Sequence, residues 1–275
     1  MVDEAEVSKH YSTQDLFQRI GDAFGQEERE LSHLSVADIS RVDQFHVGGA
    51  AATQLVAEAL APLEGKRVLD VGCGLGGPAR LLASQTGCQV SGIDLSADYI
   101  EVGNRLTELV GLGGQVELHQ GSALDLKMDS CQFEAAYMMH VGMNIDRKAT
   151  LMGEAFRVLQ SGKFVVYDIM RLKDDQIRYP VPWADRKEES AVDDCEAYEA
   201  ALQGAGFVVE TKQLLRDFSL EFLESMMRSS AQSGLQPVGL HLLMGQTAPI
   251  KIKNMYEQIK EGLLTPTLLV ARKGR

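Results

Sequence analysis

Leu16, Phe17, Ile20 and Phe24 recur at helical spacing, the first of two amphipathic patterns between residues 13 and 40. A break at Phe45-His46-Val47-Gly48-Gly49 separates them from a helix expected over about 50–61. From residue 67 the rhythm changes. Short apolar runs at 67–71, 89–93, 116–119, 133–138 and 163–169 read as strands, and 78–86, 97–110 and 147–159 as helices. Runs with so few charges suit strands buried on both faces. Their alternation with helices implies a parallel sheet wrapped on both sides. After residue 169 comes a Pro-containing loop, 178–189, then a helix at 195–204 and a strand at 207–215. Two helices, about 219–233 and 249–261, precede a last strand at 267–272. The late helices look like an insertion which, with the N-terminal helices, would roof the carboxyl ends of the strands.

The 275 residues are enough for a substantial core, with 45% hydrophobic and 24% charged residues. A net charge of −12 repels nucleic-acid backbones, so no nucleic-acid substrate is expected. The acidic start, residues 1–6, lacks the pattern of a signal peptide, and no apolar run approaches the ~20 residues that span a bilayer. Cys73, Cys88, Cys131 and Cys195 are scattered without a C-x-x-C pair, which suits reduced thiols in the cytoplasm and no structural metal. The N-terminal helices leave a surface on which a second copy could pack.

The candidate chemistry starts at VLDVGCGLGG, residues 68–77. Gly72, Gly74 and Gly77 satisfy G-x-G-x-x-G, which serves a nicotinamide dinucleotide or another adenine-bearing ligand. Asp70 favours a ligand with an ammonium group, because a carboxylate would repel a pyrophosphate. Asp94 ends the second strand, in GIDLS, about 20 residues on, where an acid accepts hydrogen bonds from ribose hydroxyls. HQGSALDL, residues 119–126, offers Ser122 and the Ala123 backbone to a ring edge.

In this order, and with FRVLQSGKFVVYDI at 156–169, the motifs resemble those of class I S-adenosylmethionine-dependent methyltransferases over about 48–170. The similarity is closest to small-molecule enzymes such as the sarcosine/dimethylglycine and quinone-biosynthesis methyltransferases. The resemblance implies a Rossmann-like, doubly wound, mostly parallel sheet of seven strands whose last strand is antiparallel. It divides the chain into an N-terminal helical cover, 1–47, and a methyltransferase domain, 48–275, with a helical cap at about 218–263. It places Asp70, Gly72, Cys73 and Gly74 around the methionyl group, Asp94 and Leu95 at ribose and adenine, and Ser122 and Ala123 at the adenine ring. Many relatives carry an acid at the place of Ser122. Tyr11 corresponds to a tyrosine that closes over the cofactor in enzymes with an N-terminal lid.

The expected reaction is methyl transfer from S-adenosylmethionine to nitrogen or oxygen of a small molecule, leaving S-adenosylhomocysteine. A nicotinamide-dependent oxidoreductase, a C-methyltransferase acting on a quinone-like ring and a cofactor-binding scaffold are the alternatives. His140 and Asn144, in YMMHVGMNID at 137–146, and His46, in FHVGG, are the polar candidates for positioning or deprotonating the acceptor. Trp183 is read first as packing and second as an aromatic wall. Met138-Met139 and Met226-Met227 are read as core filler. Asp168 is expected at the end of its strand, facing the site or the loop, and no metal site is built on it.

Overall fold

The computed structural model describes residues 2–11, 15–234 and 236–274. Positions 13 and 14 of the first amphipathic stretch therefore lie outside the described residues. Four helices lead in: α1 (Glu4–Tyr11), α2 (Leu16–Gln26), α3 (Val36–Asp43) and α4 (Gly49–Leu60). Alternation then begins with β1 (Arg67–Val71), α5 (Gly77–Thr86), β2 (Gln89–Asp94), α6 (Ala97–Leu109) and β3 (Val116–Gln120). It continues through β4 (Ala135–Met139), α7 (Lys148–Val158), β5 (Lys163–Arg171), α8 (Cys195–Ala205) and β6 (Phe207–Leu214). The last part of the chain forms α9 (Arg216–Ser233), α10 (His241–Met244), α11 (Ala248–Lys260) and β7 (Leu264–Lys273).

The seven strands form one sheet in the order β3-β2-β1-β4-β5-β7-β6. β1 to β5 pair in parallel, and β7 runs antiparallel to both β5 and β6. This is the doubly wound sheet with an antiparallel last strand that the sequence implies. Alternation along the strands divides the core in two. Val68, Tyr137, Val165 and Tyr167 face α4 and α5, whereas Leu69, Val71, Met138, Phe164 and Val166 face α7 and α8.

The central strands begin and end within two residues of the expected positions. β7 starts earlier, at Leu264, and carries Pro266 inside it. β6 stops at Leu214, opposite Thr267, so Pro266 sits past the end of that neighbour and gives up no ladder donor there. Its carbonyl still accepts from Leu215 N at 2.8 Å. α1 and α10 were absent from the sequence reading: α1 buries none of its residues and α10 is four residues long. Among the described residues, no helix is long and apolar enough to cross a membrane.

Candidate active site

The strand order reverses between β1 and β4, because successive crossovers run one way to β2 and β3 and the other way to β4 and β5. Such a switch opens a crevice at the carboxyl ends of the strands. The glycine loop leaves β1 there. Gly72 N and Cys73 N donate to Ile93 O at 2.7 and 2.9 Å, tying the loop to the end of β2. Gly74 N and Ser96 N each donate to one oxygen of Asp94, both at 2.9 Å. Asp94 thus holds the loop and the start of α6 together, its remaining lone pairs facing the crevice. Burial raises its carboxyl, and the amides of Ser96, Gly74 and Leu95 offset only part of that rise.

Two glycines are required by their surroundings. Gly72 has φ +74°, and a Cβ there would lie 2.3 Å from Val141 Cγ2. At Gly77 a Cβ would lie 2.4 Å from the backbone oxygen of Asp43, the last residue of α3. That close approach seats a buried ion pair. Arg80 on α5 donates Nη2 to Asp43 Oδ2 at 2.7 Å and to Leu75 O at 2.5 Å. Its Nη1 reaches Gly103 O at 3.0 Å and Thr107 Oγ1 at 2.8 Å. The pair binds α3, α5, α6 and the glycine loop into one unit. Asp43 Oδ1 has no partner among the described residues.

Asp70 lies on β1 directly beside Tyr137 on β4, whose hydroxyl donates to Asp70 Oδ2 at 2.8 Å. Burial pushes the Asp70 carboxyl up to about 7; the tyrosine opposes the shift, and the nearby Asp94 adds to it. A carboxyl so placed gains most from a cation docked against it.

Beyond β4, His140 takes φ +56° and stacks on Tyr167, with ring centroids 5.2 Å apart. His46 stands edge-on at 6.1 Å from His140. Its Nε2 pairs with Gly49 O at 2.9 Å and with Thr53 Oγ1 at 3.2 Å. Burial holds His46 down to about 4 and His140 well below its ordinary value, so both imidazoles are neutral at pH 7. Asn144 donates to the Tyr11 hydroxyl at 3.1 Å and so ties α1 to the segment after β4. His140 Nε2 and Asn144 Oδ1 are buried without a hydrogen-bond partner among the described residues. The Tyr11 ring packs against Phe45 and Tyr99.

One cavity joins these groups, with an empty volume of about 1570 Å³ counted to its open mouth. Tyr11, His46, Asp70, Gly72, Cys73, Gly74, Asp94, Leu95, Ala123, His140 and Asn144 all line it. Ser122 does not: it donates its hydroxyl to the carboxylate of Glu4 on α1, and Glu4 lines the cavity in its place. An acid is thus present beside position 122, supplied from 118 residues away in sequence. Glu4, Phe45 and Tyr99 were not singled out in the sequence. The polar composition of α1 offered no signal for it.

Several expectations need correction. Asp168 is not at a strand end; it sits inside β5, accepts from the Tyr198 hydroxyl at 2.9 Å, and is not among the lining residues. Met138 is core, but Met139 and Met226 line the cavity. Trp183 is 2% exposed and lines the cavity too, its indole nitrogen donating to Ser190 Oγ at 2.9 Å. His10, Asp185 and Glu189 gather within ligand distance of one another, yet Lys251 Nζ already lies 2.9 Å from Asp185. That cluster reads as an ion-paired tie between α1 and the loop carrying Trp183.

Residues 68–162 match the family model described as a methyltransferase domain. Over that segment the chain is similar to methyltransferases. Its matched segment is 36% identical to the sterol 24-C-methyltransferase of Eremothecium gossypii over 38% of this chain and 28% of that protein. The curated relatives are thus matched over less than two thirds of their own length. A geranyl diphosphate C-methyltransferase from Streptomyces coelicolor A3(2) superposes with a TM-score of 0.71 at 20% identity, covering 98% of this chain and 97% of that one. Phosphoethanolamine N-methyltransferase 2 of Haemonchus contortus gives 0.72 at 18% identity, over 93% of this chain and 60% of that one. The fold around residues 68–162 is therefore the one these two methyltransferase structures share. These likenesses lend no support to the nicotinamide alternative.

Proposed function

We propose that this protein is an S-adenosylmethionine-dependent methyltransferase acting on a small molecule, with methyl transfer by in-line displacement. The observation that carries the reading is the pair of acids, buried Asp70 and half-buried Asp94, on adjacent parallel strands around the glycine loop. They line a cavity whose walls also include His140, Asn144 and the apolar cluster around Trp183, Leu223 and Met255. Asp70 would hold the methionyl ammonium, with Gly72, Cys73 and Gly74 offering backbone around it. Asp94 would accept from the ribose hydroxyls, and Leu95 and Ala123 would flank the adenine. Glu4 would accept from the adenine amino group, the role an acid at position 122 serves in many relatives. Tyr11, held by Asn144, would close the cover formed by residues 1–47, opposite the cap at about 218–263.

Bound there, S-adenosylmethionine supplies a methyl group already activated by positive sulfur. The protein's work is to align the acceptor, exclude water and take up a proton where one must leave. His140 is suited to that last task because it is neutral and lines the cavity, as do His46 and Asn144. The relatives' names include a sterol, geranyl diphosphate and phosphoethanolamine. Membership of the class therefore leaves nitrogen, oxygen and carbon acceptors open. Among the described residues all four cysteines are free, three of them buried, in keeping with a cytoplasmic setting.

Asp94→Ala should weaken S-adenosylhomocysteine binding by about 1–3 kcal/mol, measured by calorimetry, through lost charge-assisted hydrogen bonds. Unchanged affinity would show that the ribose lies elsewhere. Binding should also depend on pH with a definite sign. The empty site keeps a proton on Asp70 up to about pH 7, against an ordinary value of 3.8. The folded state therefore binds the extra proton, and Asp70 favours folding most below pH 4, an effect lost as pH rises through 7. A docked ammonium favours the ionised carboxylate, so affinity should rise with pH through about 7. At pH 6 binding should release a proton, seen as a buffer-dependent heat; identical heats in phosphate and Tris would refute the Asp70 assignment.

A further inference from the structure

The cavity is chemically lopsided. Its charged lining residues are all acids: Glu4, Asp43, Asp70, Asp94 and Asp146. They are carried by α1, the end of α3, the ends of β1 and β2, and the segment after β4. No lysine or arginine lines it among the described residues. The apolar part of the chamber is walled by one packed cluster: Trp183 from the 178–189 loop, Phe222, Leu223 and Met226 from α9, and Ile252 and Met255 from α11. Phe222 and Met226, four apart, share one face of α9, as Ile252 and Met255, three apart, share one face of α11. The polar edge of Trp183 is already satisfied by Ser190, so the ring offers the chamber only its apolar surface.

We infer that the methyl acceptor is an uncharged molecule with an apolar body, and that phosphorylated or carboxylated acceptors are excluded. This rests on the methyltransferase reading and narrows it. A phosphate entering this chamber would lose its water without meeting a cation, and five carboxylates would stand along the same cavity. An ammonium group would find no carboxylate within the wall made by Trp183, Phe222, Leu223, Met226, Ile252 and Met255. Thioether and aromatic surfaces adapt to irregular apolar shapes, which suits a bulky hydrocarbon portion. The reacting atom would then sit beside His140 and Asn144, polar groups that line the same cavity.

Trp183 is the only tryptophan in the sequence and lines this chamber, so its fluorescence responds to occupancy there. The test uses the full chain saturated with S-adenosylhomocysteine, whose binding is first verified by calorimetry. Three probes with one tail are then titrated: n-decanol, n-decyl phosphate and n-decylamine. The expected result is a saturable change in Trp183 emission with decanol, with the phosphate and the amine each at least 30-fold weaker. Decyl phosphate or decylamine binding as tightly as decanol overturns the inference while leaving the methyltransferase reading intact. So does failure of decanol to perturb Trp183. Absence of S-adenosylhomocysteine binding at the first step removes the reading itself and the inference with it.

Discussion

Arg80→Leu is expected to destabilise the protein by about 3–5 kcal/mol, because it leaves Asp43 as an unpaired buried charge. Both side chains of the pair are at most 2% exposed, so water cannot replace the lost partner. The substitution also removes the Arg80 donor from Leu75 O in a region closed to solvent, whereas Gly103 O keeps the Thr107 hydroxyl at 2.9 Å. At roughly 2–4 °C per kcal/mol for a chain near this size, the melting temperature should fall by about 10 °C. The double variant Arg80→Leu/Asp43→Leu removes the stranded charge and should recover a large part of the loss. A single variant that melts within about 2 °C of the parent would mean that the pair does not organise this end of the sheet.

Gly72→Ala should reduce affinity for S-adenosylhomocysteine at least tenfold. Two costs combine. A left-handed backbone adds roughly 1–2 kcal/mol for a residue with a Cβ. The new methyl would also lie 2.3 Å from Val141 Cγ2, and relieving such overpacking costs about 1–3 kcal/mol. Val141 lies between His140 and Asn144 and lines the cavity, so its displacement alters the site as well as the fold. Adding Val141→Ala removes the clashing methyls and should restore part of the binding, leaving only the backbone cost. Calorimetry on the two variants decides the matter: undiminished affinity in Gly72→Ala would show that the loop does not cradle the ligand.

How far the sequence carried depends on where the relevant residues sit along the chain. Asp70, Gly72, Gly74 and Asp94 were legible because a buried strand, a turn requiring glycine and a second strand follow one another within 28 residues, 67–94. The buried strands were legible for the same reason, since unbroken apolar runs have few other uses. The acceptor chamber was not. Phe222, Leu223 and Met226 carry the spacing of any amphipathic helix, and nothing local separates a helix facing a cavity from one facing a core. Arg80 and Asp43 stand 37 positions apart, and a buried ion pair has no sequence signature at that distance. Glu4 was overlooked because α1 is polar and buries none of its own residues; its role arises from docking over Ser122. Asp168 was misplaced because β5 runs on to Arg171 and turns this acid toward Tyr198 on α8.

The central claim is that the cavity at the ends of β1, β2 and β4 takes S-adenosylmethionine, with Asp70 matched to its ammonium group. Calorimetric titration of the full chain with S-adenosylhomocysteine, and separately with oxidised NAD, tests it most directly. The account predicts one-to-one, micromolar binding of S-adenosylhomocysteine and no heat from NAD. Tight NAD binding with no heat from S-adenosylhomocysteine would contradict it.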